Sequence, residues 1–371
     1  MTRHGDRAPI LIFPTEDAAW NCDYDAVSAS PLGGHALVEE VTNYKDFVGN
    51  NPYSQIMHIW DGNCTEGQLT TQGAVQHLNM GKKLREIYVN KTGLLRPVMN
   101  STEMFIRSTE VWRAKQSAFN NMAGLYPPEF RTEDDSVVKM TVYPDKVETI
   151  KPNVGACPYS LTWFNQLIAS DAHAAHMEEA RDILEHAVSL IGNPGGNFMD
   201  SVQYFTDYLE SRYCHGMPFP CSPDKTDCIS DEEFARAVDY GDWEKYFYYG
   251  SNGMSRYVVG VFLGEILAQM KEHMQTGLPK YAFYSGHDDT ISTLLGAFAF
   301  PDAKYWPPYA SNFIFELYQS NGAWFVRILF NGKLQSIDEC SDPEMCPFDE
   351  FYNIVDKNAL IHDYKAECAV P

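Results

Sequence analysis

Two short apolar runs in this chain each stop at a polar or charged side chain and pass directly into a helical pattern, and this repeated arrangement constrains the fold more than any other feature. The first is Met104, Phe105 and Ile106, preceded by Glu103 and followed by Arg107, Ser108 and Thr109. An apolar run without alternation reads as a strand buried on both faces. Ser108 or Thr109 can cap a helix that continues through Ala118. The second run is Tyr281 to Ser285; after Gly286, His287, Asp288 and Asp289 a helical pattern covers Thr290 to Phe298. Strand, loop and helix in this order, met twice, predict an α/β fold with a mixed, mainly parallel central sheet flanked by helices.

The remaining patterns fit around that sheet. Thr70 or Thr71 can cap a helix that places Val75, Leu78, Leu84 and Ile87 on one face, with Lys82, Lys83 and Arg85 near its end. From about Ser160 to Ala268 the pattern is helical, through Ala174 to Ile191, Val202 to Tyr213 and Glu232 to Tyr248. This predicts a core of residues 1–157 and 271–371 with a mostly helical insertion at 158–270. Phe313 to Tyr318 and Trp324 to Phe330 flank Ser320, Asn321 and Gly322, a hairpin signal that implies an antiparallel edge. The 371 residues suffice for a sizeable core in one large domain or two modest ones.

Charge narrows the partners. With 28 basic against 50 acidic residues the formal charge is -22, which argues against a nucleic-acid partner. An anionic substrate needs a local basic pocket. The nine cysteines lack a CxxC zinc spacing and lie in loop-like sequence, so disulfides are the better reading. Sequons at Asn63, Asn90 and Asn100 also suit passage through an oxidising lumen. No apolar run reaches the roughly 18 residues that would span a bilayer. The longest, Val258 to Ala268, is broken by Glu265. Met1 and Thr2 stand directly before a charged motif, so any leader would lie upstream of Met1.

In open α/β sheets, ligands bind at the carboxyl ends of strands, where helix N-termini favour anions. Arg107 and His287 sit at such ends. The opening Arg3, His4, Gly5, Asp6, Arg7, Ala8 and Pro9 would form a third loop of this kind if a strand preceded it. Singly, each residue has a plainer role: an arginine after a strand is usually in a surface ion pair, a lone histidine is usually structural, and Asp288 reads equally as a helix cap.

The combination says more. RHGDRAP from Arg3 to Pro9 and YSGHDDT from Tyr284 to Thr290 resemble the RHGxRxP and HD motifs of the histidine acid phosphatase family. Between them LTTQGAVQHLNMGKKLREIY and IRSTEVWRAKQSA resemble that family's intervening segments, in the same order. RHGDR and HD point to the acid phosphatase and phytase branch rather than to the phosphoglycerate mutases. The likeness runs from Arg3 to about Cys368. It implies a metal-independent, cofactor-free hydrolysis of phosphomonoesters with His4 as nucleophile and Asp288 as proton donor. Arg3, Arg7, Arg107 and His287 form the implied phosphate clamp. The residue types suit this chemistry: neighbouring guanidiniums disfavour the imidazolium, and three arginines offer fixed forks of donors to phosphate oxygens.

The family also places a hydrophobic strand before RHG, so the first strand is expected to be missing from this chain. The implied partner is a phosphorylated small molecule or glycan in the lysosome, Golgi lumen or extracellular space, and the resemblance leaves room for a homodimer. Cys22 with Cys64, and the segments IFELYQ, VRILFNG and MCPFDEF, resemble the phosphoxylose phosphatase subgroup. That subgroup acts on the glycosaminoglycan linkage region. A catalytically silent binding homologue is the competing class, although such a role does not need Asp288. By analogy Cys157 pairs with Cys368, Cys340 with Cys346 and Cys22 with Cys64. Cys214 is expected to pair with Cys221 or Cys228, leaving one thiol free.

Overall fold

The two apolar runs become adjacent parallel strands. In the computed structural model, which describes all residues except 12, 16–17, 24–61, 63, 136, 196–197, 251–252 and 371, β1 is Thr2–Arg3, β2 Met104–Ser108, β3 Thr141–Val142 and β4 Tyr281–Gly286. They form one parallel sheet in the order β1-β4-β2-β3. β2 and β4 pair from Met104 opposite Tyr281 to Ser108 opposite Ser285. A second, antiparallel sheet holds β5 (Phe313–Ser320), β6 (Ala323–Phe330), β7 (Lys333–Gln335) and β8 (Cys346–Pro347). The hairpin between β5 and β6 turns at Asn321 and Gly322, whose φ values of 51° and 80° give the left-handed pair that a two-residue hairpin needs.

The strand expected to be missing is present as two residues. Thr2 and Arg3 pair with Ser285 and Gly286. On the other side Met1 exchanges two hydrogen bonds with Phe313, its amino group donating to the Phe313 carbonyl at 2.9 Å and its carbonyl accepting from Phe313 N–H at 2.8 Å. β1 thus joins the two sheets. Burial lowers the pKa of the Met1 amino group to about 5. Beyond it, the edges of β4 at Tyr281 to Tyr284 and of β5 at Ile314 to Gln319 line a cavity of about 820 Å³.

The helices follow with specific departures. α1 (Thr71–Leu84) starts at Thr70, whose side chain accepts from Gly73 N–H. Its buried face is Gly73, Ala74, His77, Gly81 and Leu84, whereas Val75 is 39% exposed. Of the expected apolar stripe Leu84 is buried, but small residues make up much of the buried face because α2 (Trp112–Leu125) lies against it at very short range. A Cβ on Gly81 would come within 1.9 Å of the Asn121 carbonyl oxygen, and one on Gly124 within 2.1 Å of that of Leu78. α2 begins later than expected and without a side-chain cap. Ser108 belongs to β2, and Thr109 turns its hydroxyl to His287.

In the helical region, α3 is Pro158–Ile168, α4 Asp171–Ile191, α5 Gln203–Cys214, α6 Asp231–Lys245 and α7 Met254–Thr276. α4, α5 and α6 enclose a core of their own, into which Phe13 inserts from the chain just after the RHG motif, packing on Tyr208 and Phe198. α7 crosses the expected boundary at 270. Its Val258, Val259, Phe262 and Leu263 pack with Tyr284 of β4 and with Ile291 and Leu294 of α8 (Asp288–Ala297). The disulfides are Cys22–Cys64, Cys157–Cys368, Cys221–Cys228 and Cys340–Cys346. Cys214 is the free thiol, against the expectation that it pairs, because Cys221 and Cys228 already face each other across an antiparallel bridge with Cα atoms 3.9 Å apart.

Candidate active site

Three neighbouring strands deliver the candidate residues from their carboxyl ends. His4 follows β1 and donates its backbone N–H to the Gly286 carbonyl at 2.9 Å. His287 follows β4 and Asp288 opens α8. α2 begins a short loop after β2 and carries Arg113 in its first turn. The loop after β1 lies directly on the start of α1, where a Cβ on Gly5 would sit 2.4 Å from the Gly73 carbonyl oxygen. Only glycine permits that approach. Asp6 fixes the same loop: its Oδ1 lies 2.5 Å from both Thr70 Oγ1 and His215 Nε2, and its N–H donates to Gln76 Oε1 at 2.8 Å.

His4 is buried, its ring centre 5.6 Å from that of His287 and 5.9 Å from that of Tyr309. Its Nδ1 is 2.8 Å from the Gly5 carbonyl, which can only accept, so Nδ1 carries the proton and Nε2 the lone pair. Burial, then the charges of Arg113, Arg3 and Arg7, hold the His4 pKa well below the ordinary imidazole value. The ring stays neutral in acidic solution.

Arg3 donates to the Pro307 carbonyl at 2.5 Å and stacks 4.2 Å from the Tyr309 ring centre. Arg7 makes a two-pronged pair with Asp207, at 2.9 and 2.7 Å. His287 Nε2 lies 3.0 Å from Thr109 Oγ1. Burial, then Arg113, lowers its pKa well below the usual range, against the opposing pull of Asp288. Asp288 Oδ2 accepts from Trp306 Nε1 and lies 3.3 Å from both Arg3 Nη2 and Lys245 Nζ. Burial alone would raise the Asp288 pKa; Lys245, then Arg3, His4 and Arg7 outweigh it and hold the group well below the ordinary carboxyl value.

The structure therefore gathers His4, Arg3, Arg7, His287 and Asp288, but Arg107 does not join them. Its guanidinium is wholly buried between Glu148, at 2.6 Å, Thr149, at 2.9 Å, and Glu265, and stacks 3.8 Å from the Tyr143 ring centre. With two carboxylates around it, this charge is already matched. The third arginine whose charge reaches both histidines is Arg113 rather than Arg107. Of all charged neighbours, Arg113 acts most strongly on both His4 and His287. Among the described residues it has no carboxylate partner, and burial, then Arg7, lowers its pKa to about 10.

The signal was available: Arg113 lies in the same IRSTEVWRAKQSA segment, but the rule that ligands bind at strand ends selects Arg107. Asp207, Lys245, Trp306 and Tyr309 were not anticipated either. They come from helices or irregular loops and carry no motif.

Comparison with known proteins agrees with this architecture. Residues 1–331 match a family model described as the histidine phosphatase superfamily, branch 2. Counting factor 60 of Dictyostelium discoideum is 26% identical over 381 residues, covering 100% of this chain and 87% of its own length. Lysophosphatidic acid phosphatase type 6 of Homo sapiens is 27% identical over 383 residues, covering 99% of this chain and 84% of its own. The phytase structure from Citrobacter braakii is similar in fold, with a TM-score of 0.62 at 14% identity over 100% of this chain and 98% of that one. Among the described residues, no helix is long and apolar enough to cross a membrane.

Proposed function

Because this chain belongs to branch 2 of the histidine phosphatase superfamily, and is with it a phosphomonoester hydrolase, we propose that it works through a phosphohistidine formed on His4 without a metal. The observation that carries this reading is the His4 ring, oriented by Gly5 with its Nε2 lone pair left out of that bond, and kept neutral by burial and the charges of Arg113, Arg3 and Arg7.

The phosphoryl group binds among Arg3, Arg7, Arg113 and His287, whose donors match its oxygens and spread the charge of a loose transition state. Nε2 of His4 attacks phosphorus as the bond to the leaving oxygen breaks. Before substrate binds, Asp288 is held ionised by its cationic neighbours. The negative charge of the phosphoryl group, bound among the same arginines, lets it take up a proton, which it gives to the leaving oxygen as the alcohol departs. Water then attacks the phosphohistidine, the ionised Asp288 takes a proton from it, the P–N bond breaks, and phosphate leaves His4 neutral as at the start. Asp288 favours the enzyme reading over a silent binding homologue, since binding alone does not need a proton donor.

Four disulfides fit an oxidising compartment. We extend this to a lysosomal, Golgi or extracellular location, in keeping with the exposed sequon residue Asn90. The substrate is a phosphorylated small molecule or glycan. The Cys22–Cys64 bridge keeps a phosphoxylose oligosaccharide in view, and the name of the human relative adds lysophosphatidate. Both belong in a substrate panel with aryl phosphate and phytate.

The mechanism is tested by Asp288→Asn, with phosphorylation of the enzyme followed by rapid quench. Alkyl phosphates should slow by much of the roughly 10²- to 10⁴-fold that general acid catalysis supplies, and aryl phosphates with acidic leaving groups far less. An equal loss for both would remove the proton-donor role from Asp288.

A further inference from the structure

Helix α6 enters the site from the helical region and ends on it with two residues one turn apart, Asp242 and Lys245, which share a helix face. Asp242 Oδ1 accepts the backbone N–H of Trp306 at 2.7 Å, and Trp306 Nε1 in turn donates to Asp288 Oδ2. Lys245 Nζ bonds to Asp289 and lies 3.3 Å from Asp288 Oδ2. The Lys245 side chain is 3% exposed, and its ammonium sits 4.8 Å from the ring centres of both Tyr249 and Trp306. One helix end therefore grips the candidate acid twice.

This arrangement has a chemical consequence. Asp288 Oδ2 faces Trp306, Lys245 and Arg3, all donors, so it has no room for a proton of its own. Among the described residues Oδ1 accepts only the Asp289 N–H, at 3.1 Å, and keeps a lone pair to carry the proton. Arg3 shares its charge with a bound phosphoryl group. Lys245 does not, since its other partner is Asp289.

We propose that Lys245 is a positioning residue of this enzyme: it touches no reacting atom, fixes Oδ2 of Asp288 so that Oδ1 delivers the proton, and sets the pH above which delivery stops. The proposal rests on the phosphohistidine reading above. The other charged or titratable groups facing Asp288 are Arg3 of β1, His4 and Arg7 from the loop after it, and Arg113 from α2. Glu210 of α5, Tyr249 after α6, and the flanking His287 and Asp289 complete them. Most of the cations are committed to phosphate in the bound state. Lys245 stays with Asp288 through both halves of the cycle, favouring the carboxylate that the second half needs and limiting the acid that the first half needs.

The sign of the effect follows. Removing the Lys245 cation lets Asp288 keep its proton to higher pH, while removing the Asp289 carboxylate leaves Lys245 to Asp288 alone and does the reverse. The test is the pH dependence of His4 phosphorylation by an alkyl phosphate, measured by rapid quench on the full chain. In Lys245→Met the basic limb should move up by about one to three pH units, the usual effect of an opposite charge at this range. Lys245→Arg should move it less, and Asp289→Asn should move it down. A uniform loss of rate with the limb unmoved in Lys245→Met overturns the proposal. If that variant does not fold, an unmoved or raised limb in Asp289→Asn overturns it equally. Absence of any phosphohistidine in the wild type, or a basic limb that persists in Asp288→Asn, would instead count against the underlying mechanism.

Discussion

Arg7 and Asp207 form a buried two-pronged ion pair, with Nη1 2.9 Å from Oδ2 and Nη2 2.7 Å from Oδ1. It ties the RHG loop to helix α5. A guanidinium left alone at such a site is costly, and breaking a buried pair from one side typically destabilises by about 3–5 kcal/mol. Asp207→Ala should lose stability on this scale in denaturant unfolding. Inorganic phosphate should return more stability to the variant than it adds to the wild type, because the anion can take the carboxylate's place beside Arg7. An equal phosphate effect on both proteins would show that Arg7 does not face the anion site.

Arg107 and Arg113 stand six positions apart and should behave oppositely. Arg113→Ala removes a cation that has no carboxylate partner among the described residues. Activity should fall by about 10²- to 10³-fold, the scale of a lost transition-state donor, with unfolding little changed. Arg107→Ala leaves Glu148 and Glu265 facing each other unpaired, and should cost about 3–5 kcal/mol of stability. Steady-state kinetics and denaturant melts on both variants separate the roles; a reversed pattern would restore Arg107 to the clamp.

His77 provides a pH signature outside the chemistry. Buried in α1 with Nε2 donating to the Arg3 carbonyl at 3.0 Å, it has a pKa lowered by burial from 6.5 to about 4. Between those values the unfolded chain binds a proton that the folded chain refuses, so stability falls as pH drops from 6.5 toward 4. His77→Gln should flatten that slope in thermal melts. An unchanged slope would mean that other groups account for it.

The centre of this architecture is legible in the sequence because β2 and β4 are short apolar runs and the β5–β6 hairpin carries its own turn residues; the two- and three-residue strands β1, β3, β7 and β8 carry no such pattern. The failures have physical causes. Val75 fits a helical stripe by type, yet the close approach at Gly81 and Gly124 selects small residues for the buried face. Thr109 is a good cap by composition, but its hydroxyl is used on His287. Arg107 ends a strand as a ligand-binding residue should, yet the buried Glu148 and the part-buried Glu265, both distant in sequence, claim it. Lys245 and Trp306 reach Asp288 only through tertiary packing, which no local pattern encodes.

The cavity beside Met1 gives a further test. Joining a short apolar segment in extended conformation to Met1 would replace its buried amino group with a peptide N–H. The segment would also lay a strand between the edges of β4 and β5 that line the cavity. Thermal unfolding should shift upward and activity rise with it, since His4 follows β1 directly. No change in melting temperature would show that the cavity does not accept a strand.

The central claim is a phosphoryl group carried on one nitrogen of one histidine. Acid quench would destroy that bond, so the enzyme should be mixed with a ³²P-labelled phosphomonoester, quenched in alkali within milliseconds and mapped by peptide. The expected result is label on His4 at Nε2, because Nδ1–H is committed to the Gly5 carbonyl, with none in His4→Ala. Label at Nδ1 or on any other residue, or turnover without labelled protein, would contradict the account.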